Sequence, residues 1–113
     1  MSHAGMKGKR VLVTGAGTGI GRGIALAFAS EGAAVAVHYS SSPAGAEAVV
    51  REILDGGGKA AAFQADFGRI EPLQSMAGAA VAFLGGLDVV VNSAGITMNR
   101  PFGKVTVNVG ANP

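Results

Sequence analysis

The sequence predicts an α/β fold in which a parallel sheet carries helices on both faces. Short apolar runs alternate with stretches of helical periodicity, which gives the order strand, helix, strand, helix, strand, helix, strand. Glycine-rich or proline-bearing segments stand where one kind of element gives way to the next. With 113 residues, of which 49% are hydrophobic, the chain suits one domain with a substantial core.

The predicted strands share a high content of small and β-branched apolar residues, and they are 10–14, 33–39, 59–66 and 87–92. Continuous apolar runs such as RVLVT indicate strands that are buried on both faces, as in a parallel sheet. The third strand has a weaker propensity because it is rich in alanine. We therefore expect the strand order 3-2-1-4, with the fourth strand as an open, apolar edge that invites association.

The predicted helices follow the first three strands. Apolar residues at helical spacing predict a first helix that begins near Gly19, continues to Glu31 and stops at Gly32. A second helix is predicted over 44–55, ended by the glycines at 56–58. Pro72 is expected to open the third helix, which extends to about residue 83. No element is predicted after residue 95.

Composition excludes several classes of function. The net charge of +2 is mild, and the basic residues at 7–10 suit a solvated entry to the first strand better than a nucleic-acid surface. Without cysteine there are no disulfides, thiolate chemistry or zinc thiolates, and His3 and His38 alone do not form a metal site. No apolar run approaches the ~20 residues of a membrane span, and residues 1–10 lack the apolar region of a signal peptide. We expect a soluble, cytoplasmic protein without metal, nucleic acid or membrane partners.

Five glycines crowd the junction between the first strand and the first helix, in VLVTGAGTGIGRG at 11–23. A helix N-terminus exposes N–H groups and partial positive charge, and glycine lets a phosphate approach them. The spacing is not that of a Walker loop, because no lysine follows, nor of G-x-G-x-x-G, because Ile20 stands where the last glycine is required. An ordinary tight turn without a ligand is the alternative.

The pattern that does stand, Thr14-Gly15-x-x-x-Gly19-Ile20-Gly21, resembles the cofactor loop of the short-chain dehydrogenase/reductase family. Asn92-Ser93-Ala94-Gly95 resembles the N-N-A-G motif of the same family, with Ser93 in place of the second asparagine. Asp66, followed by Phe67, matches a third position at the end of the third strand. The resemblance covers residues 10 to about 102. It implies a Rossmann-type, doubly wound, three-layer α/β/α fold, of which the chain has the first four strands and their helices.

The resemblance also implies that a nicotinamide cofactor is bound at the carboxyl edge of the sheet. The implied cofactor-binding residues are Gly15, Gly17, Thr18, Gly19, Ile20, Gly21, Tyr39, Ser40, Ser41, Asp66, Phe67, Asn92, Ser93, Ala94 and Gly95. Asp66 would accept a hydrogen bond from the adenine amino group, although it could instead cap a loop or helix. Asn92 could equally tie neighbouring strands together.

The end of the second strand favours NADP over NAD. Residues 38–42, HYSSS, contain no carboxylate to hold a ribose 2′-hydroxyl or to repel a 2′-phosphate. Against NADP, no Arg or Lys lies in this turn, and Thr18 stands where many NADP-using relatives carry a basic residue. Arg22 is near but lies on the helix. Dual use of both cofactors stays open.

The acid/base residues of the family are missing from the chain. The family uses a serine and a Tyr-x-x-x-Lys pair, but the single tyrosine, Tyr39, is followed four residues on by Pro43. Val107-Asn108-Val109-Gly110 resembles a helical stretch that supplies a catalytic asparagine in relatives, so Asn108 is a candidate, with an ordinary loop asparagine as the alternative. We therefore expect residues 1–113 to be a dinucleotide-binding domain that is incomplete on its C-terminal side and inactive alone.

Three functions remain open at this point. The first is an oxidoreductase that moves hydride between NAD(P)H and a carbonyl or alcohol, similar to ketoreductases and sugar dehydrogenases at 94–102 and a homodimer or homotetramer when intact. The second is a non-catalytic dinucleotide-binding module. The third is a methyltransferase that uses S-adenosylmethionine, which would want an acidic residue where Tyr39 stands.

Overall fold

The fold alternates strands and helices, as a computed structural model shows for residues 7–17, 19–66 and 68–93 and for the backbone of 105–108. Within these residues the elements are β1 (Arg10–Thr14), α1 (Gly19–Ser30), β2 (Ala34–Tyr39), α2 (Pro43–Asp55), β3 (Ala60–Gln64), α3 (Ile70–Leu84), β4 (Val89–Asn92) and β5 (Val105–Asn108). The four predicted strands and three predicted helices are confirmed, and no predicted boundary differs from the observed one by more than two residues.

The described strands form one sheet in the order β3-β2-β1-β4-β5, and every neighbouring pair is parallel. The predicted order of the first four strands is therefore confirmed. Because the strands are parallel, their carboxyl ends all lie at one edge of the sheet. The chain leaves β3 on one side of β1 and returns in β4 on the other side, so the strand order reverses at β1.

The core has two halves, one on each face of the sheet. Val11 and Val13 of β1 belong to a buried cluster with residues of α1 and α2, whereas Leu12 belongs to a second cluster with α3. This alternation follows from the period of two along a strand. Each of these side chains is fully buried, and burial of a Val or Leu contributes about 1.5–3 kcal/mol. The predicted three-layer α/β/α arrangement is confirmed.

Helix α3 begins two residues earlier than the sequence predicts. Ile70 is its first residue, and Pro72 therefore stands third rather than first. A proline is tolerated there because the first four N–H groups of a helix have no partner within the helix. The helix ends where Gly85 donates its N–H to the carbonyl of Val81 at 2.8 Å.

The predicted open edge at β4 is wrong. Strand β5 pairs with β4 in parallel, with Val89 opposite Val105 and Asn92 opposite Asn108. The segment was expected to correspond to part of a helix, but its residues Val-Thr-Val are β-branched and favour a strand beside another β-branched strand. The backbone N–H and C=O groups at this edge of β4 are thus paired within the chain itself.

None of the helices in the described part of the chain combines the length and the apolar character needed to cross a membrane.

Candidate functional site

The carboxyl edge of the sheet brings together the ends of β1, β2, β3 and β4. Thr14 and Asn92 end β1 and β4 and lie opposite each other in the parallel register. The reversal of strand order at β1 opens a crevice beyond these ends, and ligands of open α/β sheets bind in such a crevice. The glycine-rich segment after β1 and Ser93 after β4 lie at this same edge.

The junction between β1 and α1 depends on glycine. Gly15 has φ of +63°, a left-handed conformation that favours glycine. Gly21, in the first turn of α1, lies so close to Gly15 that an added Cβ would overlap the Gly15 carbonyl and approach Ser93 Oγ to 2.6 Å. Helix α1 therefore starts directly against the end of β1, which no side chain at position 21 would permit.

The first turn of α1 faces open space. A Cβ built on Gly19 would meet no atom within 4 Å, and Ile20 is 65% exposed. No acidic residue lies in this turn. The N–H groups of a first turn have no partner within their helix and carry partial positive charge. The arrangement thus offers backbone donors to an anionic group, with few side chains in the way.

A second close contact joins the glycine loop to helix α2. Gly17 is buried, and a Cβ there would lie 3.2 Å from the carbonyl oxygen of Ser42 and 3.3 Å from the amide nitrogen of Ala46. From the other side, a Cβ on Gly45 would overlap the Gly17 carbonyl. The sequence analysis missed Gly45. Gly45 could have been noticed because it lies in the first turn of a helix, where the low helix propensity of glycine makes it unfavourable without a packing reason.

Neutral polar groups join β1 to β4 below the crevice. The hydroxyl of Thr14 donates to Asn92 Oδ1 at 3.0 Å, with the carbonyl oxygen of Val91 at 3.4 Å. The hydroxyl of Ser93 donates to the Thr14 carbonyl. Thr14 and Asn92 are buried. Asn92 therefore does tie neighbouring strands together, which was the structural alternative, and its contact with a cofactor stays a prediction.

His38 is fully buried near the end of β2 and contacts the ends of two other strands. Its Nδ1 accepts the N–H of Gly15 at 3.0 Å, and its Nε2 lies 3.0 Å from the carbonyl oxygen of Ala65. Burial lowers the pKa of His38 below its ordinary value, and the hydrogen bond to Ala65 partly opposes this shift. The sequence analysis assigned His38 to the strand end and missed both contacts.

The turn after β2 lies beside the end of β3. Tyr39 and Ser40 are half-buried and Ser41 is exposed, and the carbonyl of Ser40 accepts a hydrogen bond from Gln64 Nε2 at 3.0 Å. The same Gln64 amide donates to Asp66 Oδ1 at 2.9 Å. Gln64 thus links the turn at Ser40 to Asp66, two places where cofactor-binding residues are predicted. No pattern in the sequence indicated this role of Gln64. The exposed Asp66 carboxylate lies at the predicted edge.

Several predicted site residues lie outside the described residues: Thr18, Phe67, Ala94 and Gly95. Asn108 is described only through its backbone, in β5 opposite Asn92 rather than in a helix. Its catalytic role stays a prediction.

Two further features bear on ligand chemistry. Arg22 of α1 forms an ion pair with Glu52 of α2, with Nη2 and Oε1 3.7 Å apart, and both side chains are largely exposed. Among the described residues, no group of three or more His, Asp or Glu side chains is placed to hold a metal ion.

Comparison with known proteins decides the family. The family model for short chain dehydrogenases matches residues 9–109, which is most of the chain. The chain belongs to this family. Its membership decides against the methyltransferase alternative and agrees with the resemblance of the Thr14–Gly21 loop.

Relatives of this short-chain dehydrogenase chain are named as oxidoreductases. An uncharacterised oxidoreductase of Methylorubrum extorquens is 50% identical over 80% of this chain and 37% of its own length. The 3beta-hydroxysteroid dehydrogenase 1 of Eggerthella lenta is 40% identical over 90% of this chain and 39% of its own. A short chain dehydrogenase of Burkholderia cenocepacia, solved in complex with NADP, is 42% identical with a TM-score of 0.77 over 82% of this chain and 38% of its own. The chain thus spans less than two-fifths of these relatives.

The residues at the carboxyl edge fit the nicotinamide dinucleotide that short-chain dehydrogenases bind. The fit is steric, because Gly15 and Gly21 bring the start of α1 against β1 and the space in front of Gly19 is open. A diphosphate at the first turn of α1 would meet backbone donors rather than side chains. The end of β4 at Asn92 and Ser93 lies on the other side of the same crevice.

Proposed function

We propose that this chain is the cofactor-binding part of an NADP-dependent oxidoreductase that moves hydride between the nicotinamide and a carbonyl or alcohol. The observation that carries the proposal is the close contact of Gly21 with the Gly15 carbonyl, which presents the first turn of α1 to the crevice. Within the proposal, residues 15–21 hold the diphosphate, with the exposed Asp66 at the adenine and the β4 end at the ribose. The bound nicotinamide supplies the hydride chemistry, and the chain supplies binding and orientation.

The end of β2 supports NADP rather than NAD. Residues 38–42 contain no carboxylate, and Ser40 and Ser41 lie at the turn with hydroxyl groups that can donate to a phosphate. Arg22 of α1 forms an exposed ion pair with Glu52 of α2, with the two charged groups 3.7 Å apart, and it is not assigned to the 2′-phosphate in this proposal. The proposed phosphate contacts are therefore hydroxyl and backbone groups of this turn.

The acid/base chemistry of the reaction is proposed to need residues beyond these 113. The single tyrosine is Tyr39, which ends β2 and has Pro43 four residues on, so no Tyr-x-x-x-Lys pair is present. The proposed substrate is a small carbonyl or alcohol, and the proposed partner of the intact protein is another copy of itself. Asn108 stays a candidate member of the catalytic group.

Calorimetric titration with NADPH and with NADH tests the proposal. We expect NADPH to bind more tightly, and Ser40→Asp to weaken NADPH binding by about tenfold or more, because an added carboxylate faces the 2′-phosphate. Ser75→Asp adds the same charge at an exposed position of α3 and is the matched control. Tighter binding of NADH, or equal losses in both variants, would contradict the choice of NADP. No binding of either nucleotide would contradict the proposal as a whole.

The second candidate, a non-catalytic dinucleotide-binding module, is favoured by the missing acid/base pair. NADPH oxidation in the presence of a panel of ketones separates the two functions. Turnover by these 113 residues alone would exclude the module. Binding without turnover, followed by turnover in a polypeptide as long as the relatives, is the outcome that the proposed oxidoreductase requires.

A further inference from the structure

His38 makes an unusual pair of contacts for a core histidine. It is the one fully buried imidazole among the described residues. One ring nitrogen reaches the loop after β1, and the other reaches the residue after β3. The imidazole therefore spans three neighbouring strands at the edge where the glycine loop begins.

The hydrogen bonds fix the protonation state of the ring. Gly15 N–H is a donor, so Nδ1 must be unprotonated to accept it at 3.0 Å. The ring hydrogen then lies on Nε2, which donates to the carbonyl of Ala65 at 3.0 Å. One neutral tautomer satisfies both contacts, and neither the other tautomer nor the imidazolium does.

The same residue also holds the next amide of the loop. Ala16 donates its N–H to the main-chain carbonyl of His38 at 2.8 Å. Side chain and main chain of His38 thus bind the amides of Gly15 and Ala16 in succession. The Gly15 carbonyl is in turn the surface against which Gly21 of α1 packs. The position of the α1 start consequently depends on how Gly15 is held.

We propose that His38 is a positioning residue for the dinucleotide: its neutral imidazole holds Gly15, and through Gly15 it sets the loop against which the α1 N-terminus forms the phosphate seat. This inference rests on the proposed function. His38 is buried beneath the loop, so it acts without touching the cofactor. A loop held in its binding shape before the ligand arrives loses less freedom on binding, and this strengthens affinity.

Two substitutions and a control test the role. His38→Asn keeps one acceptor and one donor on a shorter side chain, whereas His38→Leu removes both and leaves the partly buried Gly15 N–H without this acceptor. Leu73→Ala is the matched control, because Leu73 is buried in the cluster on the α3 face and has no part in the loop. All variants are compared by NADPH titration of the folded protein and by thermal unfolding.

We expect His38→Leu to weaken NADPH binding by about tenfold, and His38→Asn to restore most of it. Leu73→Ala should lower the melting temperature and leave the affinity of the folded protein unchanged. Unchanged affinity in His38→Leu, or an equal loss of affinity in Leu73→Ala, would overturn the proposal. The rescue by asparagine separates a positioning role from a general loss of core packing.

Nitrogen NMR of the unliganded wild-type protein provides a measurement that needs no substitution. Above pH 7 we expect an Nε2-protonated ring, with a hydrogen bond from the Gly15 amide to Nδ1. A ring protonated at Nδ1 would overturn the proposal even if His38→Leu does not fold. If the tautomer is as expected and wild-type protein binds no nicotinamide nucleotide, the proposed function is wrong, and the proposed role of His38 is wrong with it. If wild-type protein and His38→Leu bind NADPH equally well, only the role of His38 fails.

Discussion

The two ends of the β1–β4 pair are joined in opposite ways. At the amino end, Arg10 and Asp88 form a charged pair: Arg10 Nε lies 2.9 Å from Asp88 Oδ2, and Nη2 lies 3.1 Å from Oδ1. At the carboxyl end, Thr14 and Asn92 are neutral and buried. The charged pair is partly exposed to water, which screens its energy.

The difference shows which end of the pair keeps charged side chains out of the crevice. Charged side chains at the amino end are satisfied by each other and by the main chain, since Arg10 Nη1 also donates to the Gly85 carbonyl at 3.1 Å. At the carboxyl end, neutral groups fix the strand ends without placing a charge in the crevice. An anionic dinucleotide can approach there without meeting a carboxylate from the β1–β4 pair.

Gly21→Ala should have the largest effect. The new Cβ would overlap the Gly15 carbonyl, which is main chain, so strand and helix must separate. We expect a loss of about 1–3 kcal/mol in the free energy of unfolding and no measurable NADPH binding. Gly23→Ala is the control: it lies in the same helix in open space and should be neutral or stabilising by up to about 1 kcal/mol. Denaturant titration and calorimetry measure both. Equal behaviour of the two variants would contradict the close contact.

Thr14→Val should come next. Valine has the shape of threonine but removes the hydroxyl that donates to Asn92 Oδ1. We expect the free energy of unfolding to fall by about 1–2 kcal/mol, because a buried hydrogen bond is lost. Thr14→Ser keeps the hydroxyl and should recover part of this loss. If the Thr14→Val variant is as stable as the wild type in denaturant titration, the hydrogen bond between Thr14 and Asn92 does not stabilise the carboxyl end of the strand pair.

His38, at the carboxyl end of β2, should make the stability of the protein depend on pH. Burial lowers the pKa of His38 in the folded protein, so below the ordinary value of about 6.5 the unfolded chain takes up a proton first. The contribution of His38 is therefore fully present above about pH 6.5 and is lost as pH falls. The melting temperature of the wild type should drop between about pH 6.5 and 5 more than that of His38→Asn. Parallel curves for the two proteins would contradict this.

Asp88→Asn should have the smallest effect at neutral pH, because the amino-end pair is partly exposed. Hydrogen bonds from Arg10 lower the pKa of Asp88 to about 2. A lowered carboxylate pKa adds stability above the unfolded value of 3.8 that is lost as pH falls toward 2. The melting temperatures of wild type and variant should therefore approach each other as pH falls from about 3.8 toward 2, and they should differ slightly at pH 7. High salt should narrow the difference at pH 7. A constant difference across this range would exclude the ion pair as its source.

The sequence predicts the fold well because local patterns and topology rules agree along most of it. The apolar run at 10–14, the glycines at 15–21 and Asn92 at a strand end define the central strands and the crevice. Strand β5 was missed because its pairing with β4 is decided by contact between distant segments. The short strand alone carries little signal.

The supporting residues of the site could not be predicted for the same reason. His38 reads as one polar residue at the end of an apolar strand, and its partners lie 23 and 27 positions away in the chain. Gln64 reaches the carbonyl of Ser40 because the register of β2 and β3 places Gln64 beside the end of β2. Gly45 matters because α2 packs on the loop. Each depends on the distance between elements, which the order of residues does not encode locally.

The contact between Gly17 and Gly45 limits how the proposed cofactor preference could be redesigned. Ser40 and Ser41 lie in the turn before α2 and can be exchanged for charged residues without entering that contact. Gly45 sits only a few positions further, yet any side chain there would push against the Gly17 carbonyl and displace the loop. Libraries that seek a switch between the two nicotinamide nucleotides should therefore vary 40–41 and keep glycine at 45.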